Sequence, residues 1–128
     1  MPKISTVCMV DDAIGMRKLG SALLTSMGVD VVLAEDGYQA LRVLQLTPPD
    51  ACFIDIEMPE LDGLKLVSIL RANKLFERMP IAMLSGASSP FDKQKGLLAG
   101  ADIYLTKPFT KDTLVKALEQ MEAIASDQ

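Results

Sequence analysis

Histidine is absent from this chain of 128 residues. Its absence excludes a Ser-His-Asp triad, an imidazole general base and a histidine zinc site. Chemistry must therefore run on carboxylates, lysine, hydroxyls or a bound metal. Cysteine is scarce. Cys8 and Cys52 lie in separate apolar runs without CxxC spacing, which fits buried free thiols better than metal or redox work. No block of like charge occurs and the net charge is only −4, which argues against a nucleic-acid or anionic-membrane surface. No apolar stretch is long enough to span a bilayer, and Met1-Pro2-Lys3-Ile4-Ser5 lacks a signal-peptide pattern. The expectation is a soluble, cytoplasmic protein with no membrane insertion and no nucleic-acid partner. Nucleotide-cradling GxGxxG and GxxxxGK patterns are missing too.

What is present is a regular alternation. Apolar, β-branched runs at Thr6 to Val10, Asp30 to Ala34, Ala51 to Ile54, Ile81 to Leu84 and Ile103 to Leu105 read as strands. Between them lie helical patterns. The first runs from Ala13 to Met27, with Ile14, Leu19, Leu23 and Met27 at helical spacing and Gly28 as its stop. The second carries Ala40, Leu41 and Leu44 and ends at Pro48-Pro49. The third carries Leu64, Val67, Ile69 and Leu70, to about Lys74. The fourth opens at Pro90-Phe91 and stops at Gly100. The last is capped by Thr110 and uses Leu114, Val115, Leu118, Met121 and Ile124 as its apolar face. Strands separated by helices need crossovers, so the fold class is α/β: a (βα)5, doubly wound, parallel five-stranded sheet of flavodoxin-like type, strand order 2-1-3-4-5. Hydrophobic residues make up 49% of the chain, enough for one full core. Residues 1–128 read as a single domain without linker or output domain.

Ligands in such sheets bind beyond the carboxyl ends of the strands. There the first strand delivers Asp11 and Asp12, the third Asp55, the fourth Ser85, and the fifth Thr106 and Lys107. Taken singly these signals are ordinary. A strand-end aspartate is more often a cap or turn residue, and paired acids before a helix often just favour its dipole. Their convergence is not ordinary. Three carboxylates near water suit a hard cation such as Mg2+. A metal would relieve their repulsion and neutralise an incoming phosphoryl group, while Lys107 and Ser85 contact other phosphoryl oxygens. Asp55 would be the nucleophile, forming an aspartyl phosphate.

Asp11-Asp12, Asp55 with Met58-Pro59 and Asp62-Gly63 behind it, Ser85-Gly86 and Lys107-Pro108-Phe109 occur in this order along the chain. In that order the chain resembles a receiver domain of a bacterial two-component response regulator. The resemblance implies Asp55 as phosphoacceptor, Mg2+ (with Mn2+ able to substitute) held by Asp12 and Asp55, Asp11 acting through water, and the Glu57 carbonyl completing the ligands. It implies Ser85 as a switch hydroxyl, Tyr104 as a switch aromatic and a cis Lys107-Pro108 bond. The donor would be a histidine kinase or its phosphotransfer domain, and output would pass to a protein target through the face of the fourth helix, fifth strand and fifth helix. Such a chain catalyses its own phosphorylation and has no external turnover substrate. The segments around Ser85, Phe91 to Gly96 and Tyr104 to Phe109 are similar to stand-alone receivers of type IV pilus, chemotaxis-like systems for twitching motility. A phosphate sink and an unphosphorylated docking module are the alternatives. Glu57 and Ala87 sit at positions associated in the family with the rate of phosphate loss.

Overall fold

The computed structural model describes residues 4–86 and 90–127. The elements alternate as expected: β1 (Thr6–Val10), α1 (Ile14–Ser26), β2 (Asp30–Ala34), α2 (Gly37–Leu46), β3 (Ala51–Asp55), α3 (Gly63–Arg71), β4 (Ile81–Ser85), α4 (Pro90–Ala99), β5 (Ile103–Thr106) and α5 (Lys111–Ser126). All five strands run parallel in the order β2-β1-β3-β4-β5. The central three are buried along their whole length after the first residue of β1. They are covered on both faces, as their unbroken apolar runs require. The flanking strand β2 leaves Asp30 and Leu33 exposed.

Side chains alternate across the sheet and build two cores. Cys8, Val10, Cys52, Ile54 and Met83 meet Ala40 and Leu44 of α2 and Leu66, Val67 and Leu70 of α3. On the opposite face Met9, Phe53 and Leu84 meet Leu24 of α1 and Leu114, Ala117, Leu118 and Met121 of α5. Cys8 and Cys52 are register partners, both free and buried, as expected.

Three helix faces differ from the sequence-based expectation. In α1 the buried residues are Gly20 and Leu24, whereas Ile14 is 61% exposed and Leu19 is 38% exposed. The stripe runs through Gly20 because the thioether of Met9 occupies the space a side chain there would need. In α3 Leu66 is buried and Ile69 is exposed. In α5 Ala117 is buried and Val115 is exposed. The Thr110 cap follows expectation, and two further caps join it. Asp36 and Asp62 accept from Gln39 N and Lys65 N, and Thr110 forms a capping box with Thr113. Gly28 and Gly100 end their helices at positive φ, 81° and 123°.

One side chain ties the end of α3 to the far edge of the sheet. Arg71 donates to the carbonyls of Gly100, Phe76 and Met79 at 2.8, 2.9 and 2.7 Å, and pairs with Asp102 at 2.9 Å. Asp102 in turn accepts from Ile81 N as β4 begins. Arg71→Ala strands several of these acceptors, so it should lower stability by about 2 kcal/mol. Arg71→Lys should recover little, because an ammonium cannot reproduce the guanidinium fork. Urea denaturation midpoints check both.

Candidate functional site

Strand register assembles the site. Val10 pairs with Ile54, Asp55 with Leu84, and Ser85 with Thr106. The residues that follow or end these strands therefore emerge side by side at one edge. Asp11 and Asp55 are 0% and 1% exposed, yet both are carboxylates. Asp12 is exposed. Carboxylate oxygens of Asp11, Asp12 and Asp55 all lie within 4.8 Å of one another.

Lys107 partly balances this charge. Its Nζ lies 2.9 Å from Asp11 Oδ2 and 3.0 Å from Asp55 Oδ1. The Asp55 contact is a hydrogen bond, while Asp11 Oδ2 is buried and meets the ammonium off hydrogen-bond direction. Burial pushes the Asp55 carboxyl up to about 7, with the neighbouring Asp11 charge adding to it and Lys107 opposing it. Burial pulls the Lys107 ammonium down, but its close contacts with the Asp11 and Asp55 carboxylates outweigh this and leave it higher than usual. Two buried carboxylates and a third at the rim face one ammonium, so the pocket retains excess negative charge. Its donors are all oxygen. Both properties fit a small hard cation such as Mg2+.

The backbone around Asp55 is held tightly. Ile56 N continues the β3–β4 ladder by donating to Leu84 O at 3.0 Å, and Gly63 N folds the loop back onto Ile56 O at 3.0 Å. Gly63 lies so close to the Asp55 carbonyl that a Cβ would collide with it. Asp11 is fixed by Ala13 N, which donates to its Oδ1 at 2.9 Å, and by Arg17 Nη1, which donates to its carbonyl at 2.8 Å. On the other side Ser85 Oγ donates to Glu57 Oε1 at 2.7 Å. Tyr104 is half-buried, with its ring edge against the spot a Cβ on Gly96 of α4 would fill. The Lys107-Pro108 peptide is cis.

The structure thus brings Asp11, Asp12, Asp55 and Lys107 together, with Ser85 and Glu57 joined beside them. Tyr104 stands on β5, with its ring toward α4. Ala87 lies outside the described residues. Sequence reasoning missed Arg17 as the clamp on Asp11, since an arginine in the first turns of a helix looks like a solvated charge. It also missed the Glu57–Ser85 contact, which joins residues 28 positions apart.

A doubly wound parallel sheet with an acidic, cation-ready pocket and a lysine at its carboxyl edge defines a small α/β domain of the receiver class. The family described as response regulator receiver domain matches residues 7–119, and the chain belongs to it. Protein PilG of Pseudomonas aeruginosa is 41% identical over 113 residues, which cover 88% of this chain and 84% of that protein. Further curated relatives are longer, and the chain spans 50% of one, 15% of another and 46% of a third. Among solved structures, the chemotaxis protein CheY4 of Vibrio cholerae superposes with a TM-score of 0.87 at 36% identity, covering 92% of this chain and 98% of that one. The receiver domain of a sensor histidine kinase from Pseudomonas aeruginosa, solved with a magnesium ion coordinated in its active-site cleft, gives 0.86 at 31% identity, covering 93% and 98%. Receiver domains are signalling units that histidine kinases phosphorylate, that bind Mg2+ at the acidic pocket and that turn over no external substrate. Among the described residues no helix is long and apolar enough to cross a membrane.

Proposed function

We propose that this chain is a phosphoacceptor response regulator in which Asp55 takes a phosphoryl group from a partner histidine kinase or its phosphotransfer domain. The observation that carries this reading is Asp55 itself: a buried strand-end carboxylate, 3.0 Å from Lys107 and within reach of Asp11 and Asp12. An Asp55 oxygen attacks phosphorus, the P–N bond of the phosphohistidine breaks, and the imidazole leaves with the bonding electrons and takes up a proton. The chain has no histidine, so the donor imidazole comes from outside it. Asp12, Asp55 and the Glu57 carbonyl would hold Mg2+ or Mn2+, with Asp11 acting through water. When bound, the cation supplies charge neutralisation for the phosphoryl oxygens. Lys107 then neutralises one further oxygen, and the Ser85 hydroxyl donates to another.

Engagement of Ser85 shifts the population of a two-state face made by α4, β5 and α5, with Tyr104 as the coupled ring. That face binds a downstream protein, in the cytoplasm. Similarity to PilG and to a chemotaxis protein supports a motility pathway, and type IV pilus control is the specific proposal. Incubation with acetyl phosphate and Mg2+ should add one phosphoryl group to the intact mass. Chelation of the metal by EDTA should abolish the gain. A chain left unmodified by acetyl phosphate, phosphoramidate and a purified histidine kinase alike would reject this reading.

A further inference from the structure

Ser85 is 1% exposed at the end of β4, and its hydroxyl proton is directed at Glu57, at 2.7 Å. Glu57 is exposed on the loop two residues beyond Asp55. A serine hydroxyl carries a single proton, so it donates strongly to one acceptor at a time. A phosphoryl group on Asp55 needs that same proton. It also brings new negative charge beside the Glu57 carboxylate, which opposes its arrival if the side chain stays in place.

We infer that Glu57 is a positioning residue that latches Ser85 in the unphosphorylated state and competes with the phosphoryl group for its proton. The inference rests on the phosphoacceptor reading and adds to it a built-in threshold. Every phosphoryl-bound molecule must first break the Glu57–Ser85 hydrogen bond. The share of molecules already unlatched therefore scales the apparent affinity for any phosphoryl-like ligand. Glu57 needs no contact with the phosphoryl group to exert this effect, since it acts through Ser85. A carboxylate-to-hydroxyl bond is charge-assisted, so the latch is stronger than one made by a neutral acceptor.

The test is a double-mutant cycle read by beryllofluoride binding in Mg2+, followed through the amide signal of Gly86, which all the variants share. Because Glu57 is exposed, Glu57→Ala should fold normally, and thermal melts verify it. Glu57→Ala should tighten beryllofluoride binding about tenfold, which corresponds to about 1.4 kcal/mol. Part of any gain is simply the loss of a negative charge. In the Ser85→Ala background only that part remains, so the same change should tighten binding about twofold or less. Glu57→Gln, which removes the charge and keeps an acceptor for Ser85, should bind more weakly than Glu57→Ala in the Ser85 background. An equal gain from Glu57→Ala in both backgrounds, or Glu57→Gln matching Glu57→Ala, would overturn the latch. Phosphorylation of the wild-type chain by acetyl phosphate is measured alongside. If acetyl phosphate, phosphoramidate and a purified histidine kinase all fail, the phosphoacceptor reading falls and the latch with it; if phosphorylation succeeds and the cycle is additive, the latch alone falls.

Discussion

Asp55→Asn should take up no phosphoryl group from any donor and, without metal, should be more stable than the wild type above neutral pH. The first half follows from chemistry. An amide oxygen is a poor nucleophile, and Asp11, although nearby, is held by Ala13 N and Lys107 rather than presented to a donor. The second half follows from linkage. Folding raises the Asp55 pKa to about 7, mainly through burial. The folded state therefore holds a proton that the unfolded chain gives up at lower pH, and wild-type stability falls as pH rises from about 4 to about 7. Asparagine carries no such penalty, and its oxygen still accepts from Lys107. In EDTA the variant should gain on the order of 2 kcal/mol at about pH 8 and almost nothing near pH 4. Intact mass spectrometry reads the first effect, and urea midpoints at the two pH values read the second. Mg2+ should narrow the gap by stabilising the wild type, by about 1.4 kcal/mol at ten times its dissociation constant.

Gly63→Ala should lower stability by at least about 3 kcal/mol, the upper part of the range for overpacking. A Cβ at Gly63 would collide with the Asp55 carbonyl oxygen and lie 2.8 Å from Ile56 Cα. Both are backbone atoms, and neither can rotate aside as a side chain would. Relief requires the loop after β3 to move, which breaks the Gly63 N to Ile56 O bond and shifts Asp55 away from Lys107. Phosphoryl uptake should therefore drop along with stability. Gly15→Ala is the matched control. Nothing lies within 4 Å of a Cβ there, and the residue sits inside α1. Alanine should stabilise that helix by about 0.5–1 kcal/mol. Denaturation curves of the two variants, run together, separate lost space from altered backbone freedom.

Much of this molecule is legible in its sequence. Each strand announces itself as a short apolar run, and the acidic site announces itself where four such runs end in polar residues. Asp11, Asp12, Asp55, Ser85 and Lys107 could be named because topology alone sends strand ends to one edge. Helix faces were less legible. α1 carries apolar residues on more than one side, and its buried stripe passes through Gly20, which gives no hydrophobic signal at all. Ile69 and Val115 are apolar residues left at the surface, where a scattered few cost little. Arg17, Arg71 and Glu57 were illegible for another reason. Charged residues look solvated until a distant carbonyl or hydroxyl is folded against them.

The pairing of Val10 with Ile54 has a consequence beyond placing two aspartates together. Side chains along a strand switch faces at every step, so sliding β3 by a single residue relative to β1 would exchange its two core faces. It would also draw Asp55 away from Asp11 and Lys107. The proposed acceptor is therefore a vernier mark on the sheet. Phosphoryl uptake reports whether the two middle strands closed in the right alignment, and a chain that is compact but misaligned by one notch would be chemically silent. On the proposed function, phosphoryl uptake and correct strand alignment become a single measurement.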